Sequence, residues 1–291
     1  MIPAAFDYHR PQSLGEALSL LAEHGGDAKL LAGGQSLIPA MRFRLAVPSV
    51  LIDIHGLDEL RYIEQRADHL AIGAMTLEHA LEDSSIVRDS YPLLHDTALV
   101  IADPLVRNRA TVGGNIAHAD PANDHPATML AYGATVVAKG PGGERTIPID
   151  QFFTGLFENA LEDGEILVEI RIPTPAPKAG GAYEKLERKV GDYAISAAAV
   201  QLRLDGDLVS EVRIGLTNVS PVPMRAKAAE SELAGKALSD ERLEAAGKAA
   251  AAECDPSADL RGSVEYKRDI TRVLVKRSIQ RAAARAKGGN G

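Results

Sequence analysis

Two glycine pairs are the first residues whose type and spacing suggest chemistry. Gly33-Gly34 follows the apolar run Lys29-Leu30-Leu31-Ala32, precedes a helical pattern, and is trailed by Gln35 and Ser36. Residues without a Cβ let the backbone turn tightly and approach a ligand closely. Successive amide N–H groups in such a turn form an anion nest, the dipole of the following helix reinforces it, and the Ser36 hydroxyl is a further donor. Gly113-Gly114 reads as a second loop of this kind, with Thr111 ahead of it and Asn115 behind. Each pair alone reads equally well as a plain tight turn, and no G-x-G-x-x-G fingerprint accompanies either. Together, with Ser, Thr and Asn donors and little basic charge nearby, they suit a diphosphate held mainly by neutral amides. Downstream, Asp120-Pro121-Ala122-Asn123-Asp124-His125-Pro126 reads as an irregular loop whose acidic side chains could hydrogen-bond a ribose or an adenine edge. The spacing and closing Glu of an EF-hand are missing, so calcium is not expected there.

The metal-ligand count points the same way. One cysteine, Cys254, stands in 291 residues. It permits no intrachain disulfide and no thiolate-based zinc or iron–sulfur site. The eight histidines include no pair four residues apart and no H-E-x-x-H. No metal site is expected in this chain. Redox chemistry, if it occurs, must use an organic cofactor or a metal in another subunit.

Composition narrows the class further. Apolar residues make up 45% and charged residues 25%, and 32 basic against 40 acidic side chains leave a formal charge of −8. That balance argues against nucleic acid, which demands clustered positive charge. No stretch approaches the roughly 18 apolar residues of a spanning helix. The N-terminus lacks the basic start and apolar run of a signal peptide, so a cytoplasmic location is expected.

The elements that must position these residues read as follows. Ser13, with Glu16 three residues on, caps a helix that Gly25-Gly26 ends. A helix over 37–44 and a strand over 50–54 flank Pro48. A strand over 70–74 leads to Thr76, which caps a helix through Leu81. A helix over 91–101 halts at Asp103-Pro104, and a short one covers 127–132. Strands follow over 134–139 and 165–172. Pro173, Pro175 and Pro177 then fall within five residues, incompatible with a helix or a central strand, and mark a domain boundary. Beyond it, strands over 195–204 and 208–216 straddle the turn Asp205-Gly206-Asp207. Three Ala- and Leu-rich helices, over 225–234, 241–254 and 264–286, complete the chain.

At Ala32-Gly33-Gly34-Gln35-Ser36 and Thr111-Val112-Gly113-Gly114-Asn115 the chain resembles the two FAD diphosphate loops of the medium subunits of molybdenum hydroxylases. It is most like the aerobic carbon monoxide dehydrogenase branch, with the flavin domain of xanthine dehydrogenase more distant. Ile101-Ala102-Asp103-Pro104, Asp120 to Asp124, Glu165-Ile166-Leu167, Tyr183-Glu184-Lys185 and Gly191-Asp192-Tyr193-Ala194 extend the likeness, in one order from Phe6-Asp7-Tyr8 to the C-terminal helix.

The resemblance implies an α+β protein with the vanillyl-alcohol-oxidase-type (PCMH-type) FAD-binding fold. Residues 1–176 would form the FAD domain, with subdomains of about 1–56 and 57–176. Residues 177–287 would form a C-terminal domain of antiparallel sheet and helices, and 288–291 a flexible tail. It implies non-covalent FAD, with Ala32, Gly33, Gly34, Gln35, Ser36, Thr111, Gly113, Gly114 and Asn115 around the diphosphate. Ile101 and Ala102 would pack on the cofactor, and Asp124 would bond the adenosine portion or adjoining backbone. Leu167 and Lys185 would line the flavin cleft, Lys185 stabilising negative charge near the reduced ring. Tyr193 would stack on the isoalloxazine, as a flat aromatic suits. Gln35 departs from the His often found there in the carbon monoxide dehydrogenase branch; other relatives carry Gln.

By the same resemblance, the chain is an electron-transfer subunit with no catalytic residue of its own. A small subunit would carry two [2Fe–2S] clusters and a large subunit the molybdopterin, in a dimer of heterotrimers. FAD would pass electrons to quinone, NAD⁺ or another acceptor, with contact to the inner face of the membrane where the acceptor requires it. A free-standing flavin oxidoreductase and a non-catalytic assembly module without flavin are the alternatives.

Overall fold

The computed structural model describes residues 2–289; Asn290 and Gly291, half of the tail expected at 288–291, lie outside them. The chain opens with β1 (Asp7–His9) and α1 (Leu14–His24). The Ser13 hydroxyl accepts from the Glu16 amide, and the Glu16 carboxylate reaches back to the Gln12 amide at 2.7 Å. β2 (Ala28–Leu31), α2 (Leu37–Arg42) and β3 (Val50–Asp53) complete a small parallel sheet in the order β1-β3-β2. α2 is shorter than the pattern suggests, because Arg44 takes a φ of +57° that no helix continues.

β4 (Ile63–Gln65) and β5 (His69–Gly73) begin a second sheet, and α3 (Glu78–Asp83), α4 (Ser85–Ser90), α5 (Pro92–Val100), α6 (Pro104–Arg107), α7 (Val112–His118) and α8 (Asp124–Tyr132) follow. Thr76 does not cap α3: its hydroxyl bonds the Tyr62 backbone carbonyl and amide instead, and Leu77 occupies the cap position. Asp103-Pro104 ends α5 only indirectly; Asp103 is the N-cap of α6, accepting from the Val106 amide. β6 (Thr135–Gly140), β7 (Gly143–Pro148), β8 (Phe153–Gly155), β9 (Glu158–Asn159) and β10 (Ile166–Pro173) come next. The antiparallel order β4-β5-β10-β6-β7 makes the sheet five-stranded.

Pro173 ends the central strand β10, where an exclusion from such strands was expected, and Pro175 and Pro177 separate it from β11 (Ala179–Leu186). β12 (Ser196–Asp205), β13 (Leu208–Thr217) and β14 (Met224–Arg225) extend β11 into an antiparallel sheet, on which α9 (Lys227–Leu233), α10 (Asp240–Glu253) and α11 (Val264–Ala286) pack. The turn between β12 and β13 is the expected one, with Gly206 at φ +60°. The α+β class, with two α/β units followed by an antiparallel sheet and helices, is thus the observed architecture.

Three apolar cores match this layout. The first joins α1 to the parallel sheet and to Leu57, Met75, Val137 and Val168 of the second unit. The second lies between the five-stranded sheet and α5, α7 and α8. The third lies between the last sheet and its helices and encloses Cys254, whose thiol burial pushes up to about 12. That sulfur is a packing group. The last unit docks on the second through Asp96 of α5, which accepts from Arg281 at 3.1 Å, from Arg285 at 2.6 Å and from the Tyr183 amide.

Candidate functional site

The first glycine pair leaves β2 and turns into α2. Gly34 has φ +75°, a left-handed conformation that side chains resist. Gly33 lies against the backbone that leads into α7, and a Cβ there would stand 2.3 Å from the Arg109 carbonyl oxygen. Among the described residues, no protein acceptor takes the amide hydrogens of Gly33, Gly34, Gln35 or Ser36. Ser36 occupies the N-cap position of α2, yet its hydroxyl makes no capping bond. This turn presents a run of donors without partners.

The second pair is different. Thr111 to Asn115 is not a loop but the first turn of α7, capped by the Thr111 hydroxyl, which accepts from the Gly114 amide at 3.2 Å. The Val112 amide donates to Thr76, the Gly113 amide to Ala74 and the Asn115 amide to Thr111, each at 2.9 Å. The expectation of two amide-lined loops is therefore corrected to one. Here glycine serves close packing: a Cβ on Gly113 would stand 2.6 Å from the Ala74 Cβ. On Gly114 it would meet the Thr111 Oγ1 at 2.7 Å and the Ala32 Cβ at 3.4 Å. At that last contact the two segments meet.

Asn115 stands beside that junction with its Oδ1 buried and unpartnered among the described residues, while its backbone carbonyl accepts from Asn123 Nδ2. Unpaired donors on one segment and an orphaned buried acceptor on the other fit a polar ligand with several hydrogen-bonding atoms, such as the diphosphate and ribose of FAD.

Asp124 is the first residue of α8 and is buried, where an irregular loop was expected. Its Oδ1 accepts from the Tyr183 hydroxyl at 2.6 Å and its Oδ2 from Lys185 Nζ at 3.0 Å. Lys185 also donates to the Val100 carbonyl at 3.0 Å, and Glu187 lies 3.3 Å from it without hydrogen-bond geometry. Asp124 and Lys185 thus hold each other, and beside two carboxylates Lys185 presents little uncompensated charge. Ile101 is buried next to Ala102, whose φ is +48°, and the Arg107 guanidinium caps both carbonyls.

Gly191 packs on the Ala102 carbonyl and so brings in the Tyr193 segment. Tyr193 is 45% exposed, with the Arg261 guanidinium 5.6 Å from its ring centre. Asp192 fixes its backbone: it accepts from the Tyr193 amide, Arg188 and Arg261, and these partners hold its carboxyl at about 2, with Arg261 the strongest. Leu167 is buried at the bulge of β10, beside Val168, whose carbonyl accepts from Ala74 under Gly113.

Two features lay outside the sequence reading. Arg109 and His55 stand near the first turn, and Arg109 makes the setting more basic than the residues around Gly33 suggest. Burial, then Arg109 and Arg61, lower the imidazole pKa of His55, which favours its neutral form. Arg109 precedes Thr111 by two residues, which was the available signal. Glu78 and His125 form a fully buried pair at 2.7 Å, far apart in sequence and marked by no motif.

Comparison with known proteins covers nearly the whole chain. Residues 4–175 match the family model described as FAD binding domain in molybdopterin dehydrogenase. Residues 181–282 match the CO dehydrogenase flavoprotein C-terminal domain. The carbon monoxide dehydrogenase medium chain of Hydrogenophaga pseudoflava is 50% identical over 98% of this chain and 99% of its own. That of Afipia carboxidovorans is 45% identical over 99% of this chain and 100% of its own. A solved structure of carbon monoxide dehydrogenase from Hydrogenophaga pseudoflava, lacking the Mo-pyranopterin moiety of its molybdenum cofactor, superposes with a TM-score of 0.96 at 52% identity, over 98% of this chain and 99% of that one.

Proposed function

The chain belongs to the family of FAD-binding medium subunits of molybdopterin dehydrogenases, and from that premise we propose that it is the electron-transfer subunit of a carbon monoxide dehydrogenase-like complex. It is an oxidoreductase subunit with an FAD-binding domain. Its partners in this reading are a small subunit with [2Fe–2S] clusters and a large molybdopterin subunit, assembled as a dimer of heterotrimers. The division of labour agrees with a chain whose one cysteine is buried in a core. Among the described residues, no helix is long and apolar enough to cross a membrane. A cytoplasmic site of action, with an acceptor at the inner membrane face as an option, belongs to the proposal.

The observation that carries the reading is the run of unpartnered amides from Gly33 to Ser36, set against the glycine turn of α7. These residues would hold the diphosphate, with Ser36, Thr111 and Asn115 side chains around it and Ile101, Ala102 and Leu167 as apolar walls. Bound non-covalently, FAD would supply the redox chemistry between the partner's clusters and quinone, NAD⁺ or another acceptor. Tyr193 would supply a flat face for the ring, held in place by Asp192 and Arg261. Asp124 and Lys185 would act as one neutralised unit that fixes the position of α8 against β11. The division into residues 1–176 and 177–287, with the first split near 56, belongs to the same reading.

The test is a cofactor inventory of the purified complex, followed by its visible spectrum under carbon monoxide. Expected are stoichiometric FAD and bleaching of the flavin bands near neutral pH. A complex that contains no FAD, or one whose flavin stays oxidised while carbon monoxide is consumed, overturns the reading.

A further inference from the structure

Glu78 and His125 are a pair of ionisable side chains near the site, both with no exposed surface. His125 Nε2 lies 2.7 Å from Glu78 Oε2, within ordinary hydrogen-bond distance. Glu78 Oε1 and His125 Nδ1 find no partner among the described residues. A buried pair left half satisfied costs folding free energy, and an apolar pair of similar volume would generally cost less. Packing therefore does not explain it, and its position does.

Glu78 opens α3, and its amide donates to the Ala110 carbonyl at 3.0 Å, one residue before the Thr111 cap. Its neighbour Leu77 bridges to Thr111 directly. The α3 start is thus strapped to the glycine turn of α7. His125 follows Asp124 in the first turn of α8, whose carboxylate is anchored by Lys185 and Tyr183. The pair spans the gap between these two assemblies, and the Asn123 to Asn115 bond at 3.2 Å is a lighter brace of the same kind.

We propose that Glu78 and His125 are positioning residues for FAD: a strut that sets the separation between the glycine turn of α7 and the Asp124–Lys185–Tyr183 group. The inference rests on the FAD-binding reading above. Neither side chain need touch the cofactor. A shift of α7 by a few tenths of an ångström relative to α8 misplaces the Thr111 and Asn115 side chains that would hold the diphosphate.

The experiment uses the full chain as Glu78→Ala, His125→Ala, the double variant and Glu78→Gln. FAD dissociation constants come from quenching of flavin fluorescence, and melting temperatures from the FAD-free protein. Each alanine variant is expected to weaken FAD binding by about tenfold, the scale of one hydrogen bond lost in a buried site. The double variant should bind no worse than the singles, because the two residues act as one unit. Glu78→Gln keeps an acceptor for His125 and should recover to within about threefold of wild type.

A merely structural role would lower melting temperatures and leave the affinity of the folded fraction unchanged. Folded alanine variants that bind FAD within about twofold of wild type therefore overturn the strut and leave the FAD reading intact. Should the alanine variants not fold, Glu78→Leu and His125→Leu, which keep the volume and remove the bond, decide: both within about twofold of wild-type affinity also overturn it. A wild-type chain that binds no FAD removes the FAD reading itself, and the strut with it.

Discussion

The two glycine pairs look alike in sequence and do opposite things with their backbones. Gly33-Gly34 sits in an irregular turn whose amides from 33 to 36 have no protein acceptor among the described residues. Gly113-Gly114 sits in the first turn of a helix whose amides from 112 to 115 all have one. The first pair leaves donors for a ligand. The second removes side chains so that α7 can lie against Ala74 and Ala32. The first pair is a binding and a packing device at once, since Gly33 also lies against the Arg109 backbone; the second is a packing device, and the site exists where they touch.

The sharpest way to break this contrast is to put the same side chain into both. Gly113→Val forces a branched side chain into the backbone of Ala74 and should cost about 3 kcal/mol or more of stability, seen in the melting of the FAD-free chain. Gly33→Val meets the Arg109 carbonyl oxygen and the Ala110 Cα, backbone atoms as close as those around Gly113, and should lose melting temperature as well. It also disturbs the free amides directly, so its folded fraction should purify nearly free of flavin. Flavin at wild-type stoichiometry in the folded Gly33→Val variant would erase the distinction.

Amide hydrogen exchange gives the next largest effect. With FAD at a hundred times its dissociation constant, the 33–36 amides should slow by about a hundredfold, while those of 112–115 are already protected without it. Prior protection at both segments, or its appearance at both, would contradict the observed hydrogen bonds.

A subtler pair concerns hydroxyls. Thr111→Val removes the cap of α7 and should cost about 1 kcal/mol. Ser36→Ala removes a hydroxyl that caps nothing, and its melting should stay within about 0.5 kcal/mol of wild type while FAD binding weakens. Reversed stability effects would exchange the two roles.

The smallest effect uses pH, and it sets both glycine segments against the Tyr193 segment. Asp192 has a carboxyl pKa of about 2 in the folded chain against 3.8 ordinarily. Its contribution is therefore fully present above about pH 4 and is lost as pH falls toward about 2. Across that window the Tyr193 amide, which donates to Asp192, should lose exchange protection. The Gly113 amide, bonded to a carbonyl that does not titrate, should keep it. Parallel behaviour at both amides would mean that the chain unfolds as a whole.

How far the sequence could be read follows from how local each feature is. α1, with its Ser13 cap, and α11 over 264–286 stood in the sequence as they stand in the structure, because caps and helical patterns act within a few residues. The hairpin at Asp205-Gly206-Asp207 was legible for the same reason. β11 was not anticipated as a strand, since Gly180 and Gly181 give it a weak pattern and pairing with β12 makes it. Thr76 misled because a hydroxyl before a helix resembles a cap, while the adjacent strand offered Tyr62 a better bond.

At the site, the residue types were visible and their partners were not. The sequence by itself determined the short-range features: which segments lack side chains, which carry hydroxyls, and that a single cysteine leaves no cluster ligands. The tertiary structure alone decided which amides remain free, because a backbone donor is satisfied by whatever carbonyl the fold brings to it. Ala74 and Thr76 reach Gly113 and Val112 across the second unit, and among the described residues no acceptor reaches the amides of Gly33 to Ser36. It likewise joined Asp124 to Lys185, 61 residues on, and Glu78 to His125, 47 residues on. Burial makes such pairings energetically decisive, and burial depends on the whole fold rather than on any local stretch of chain.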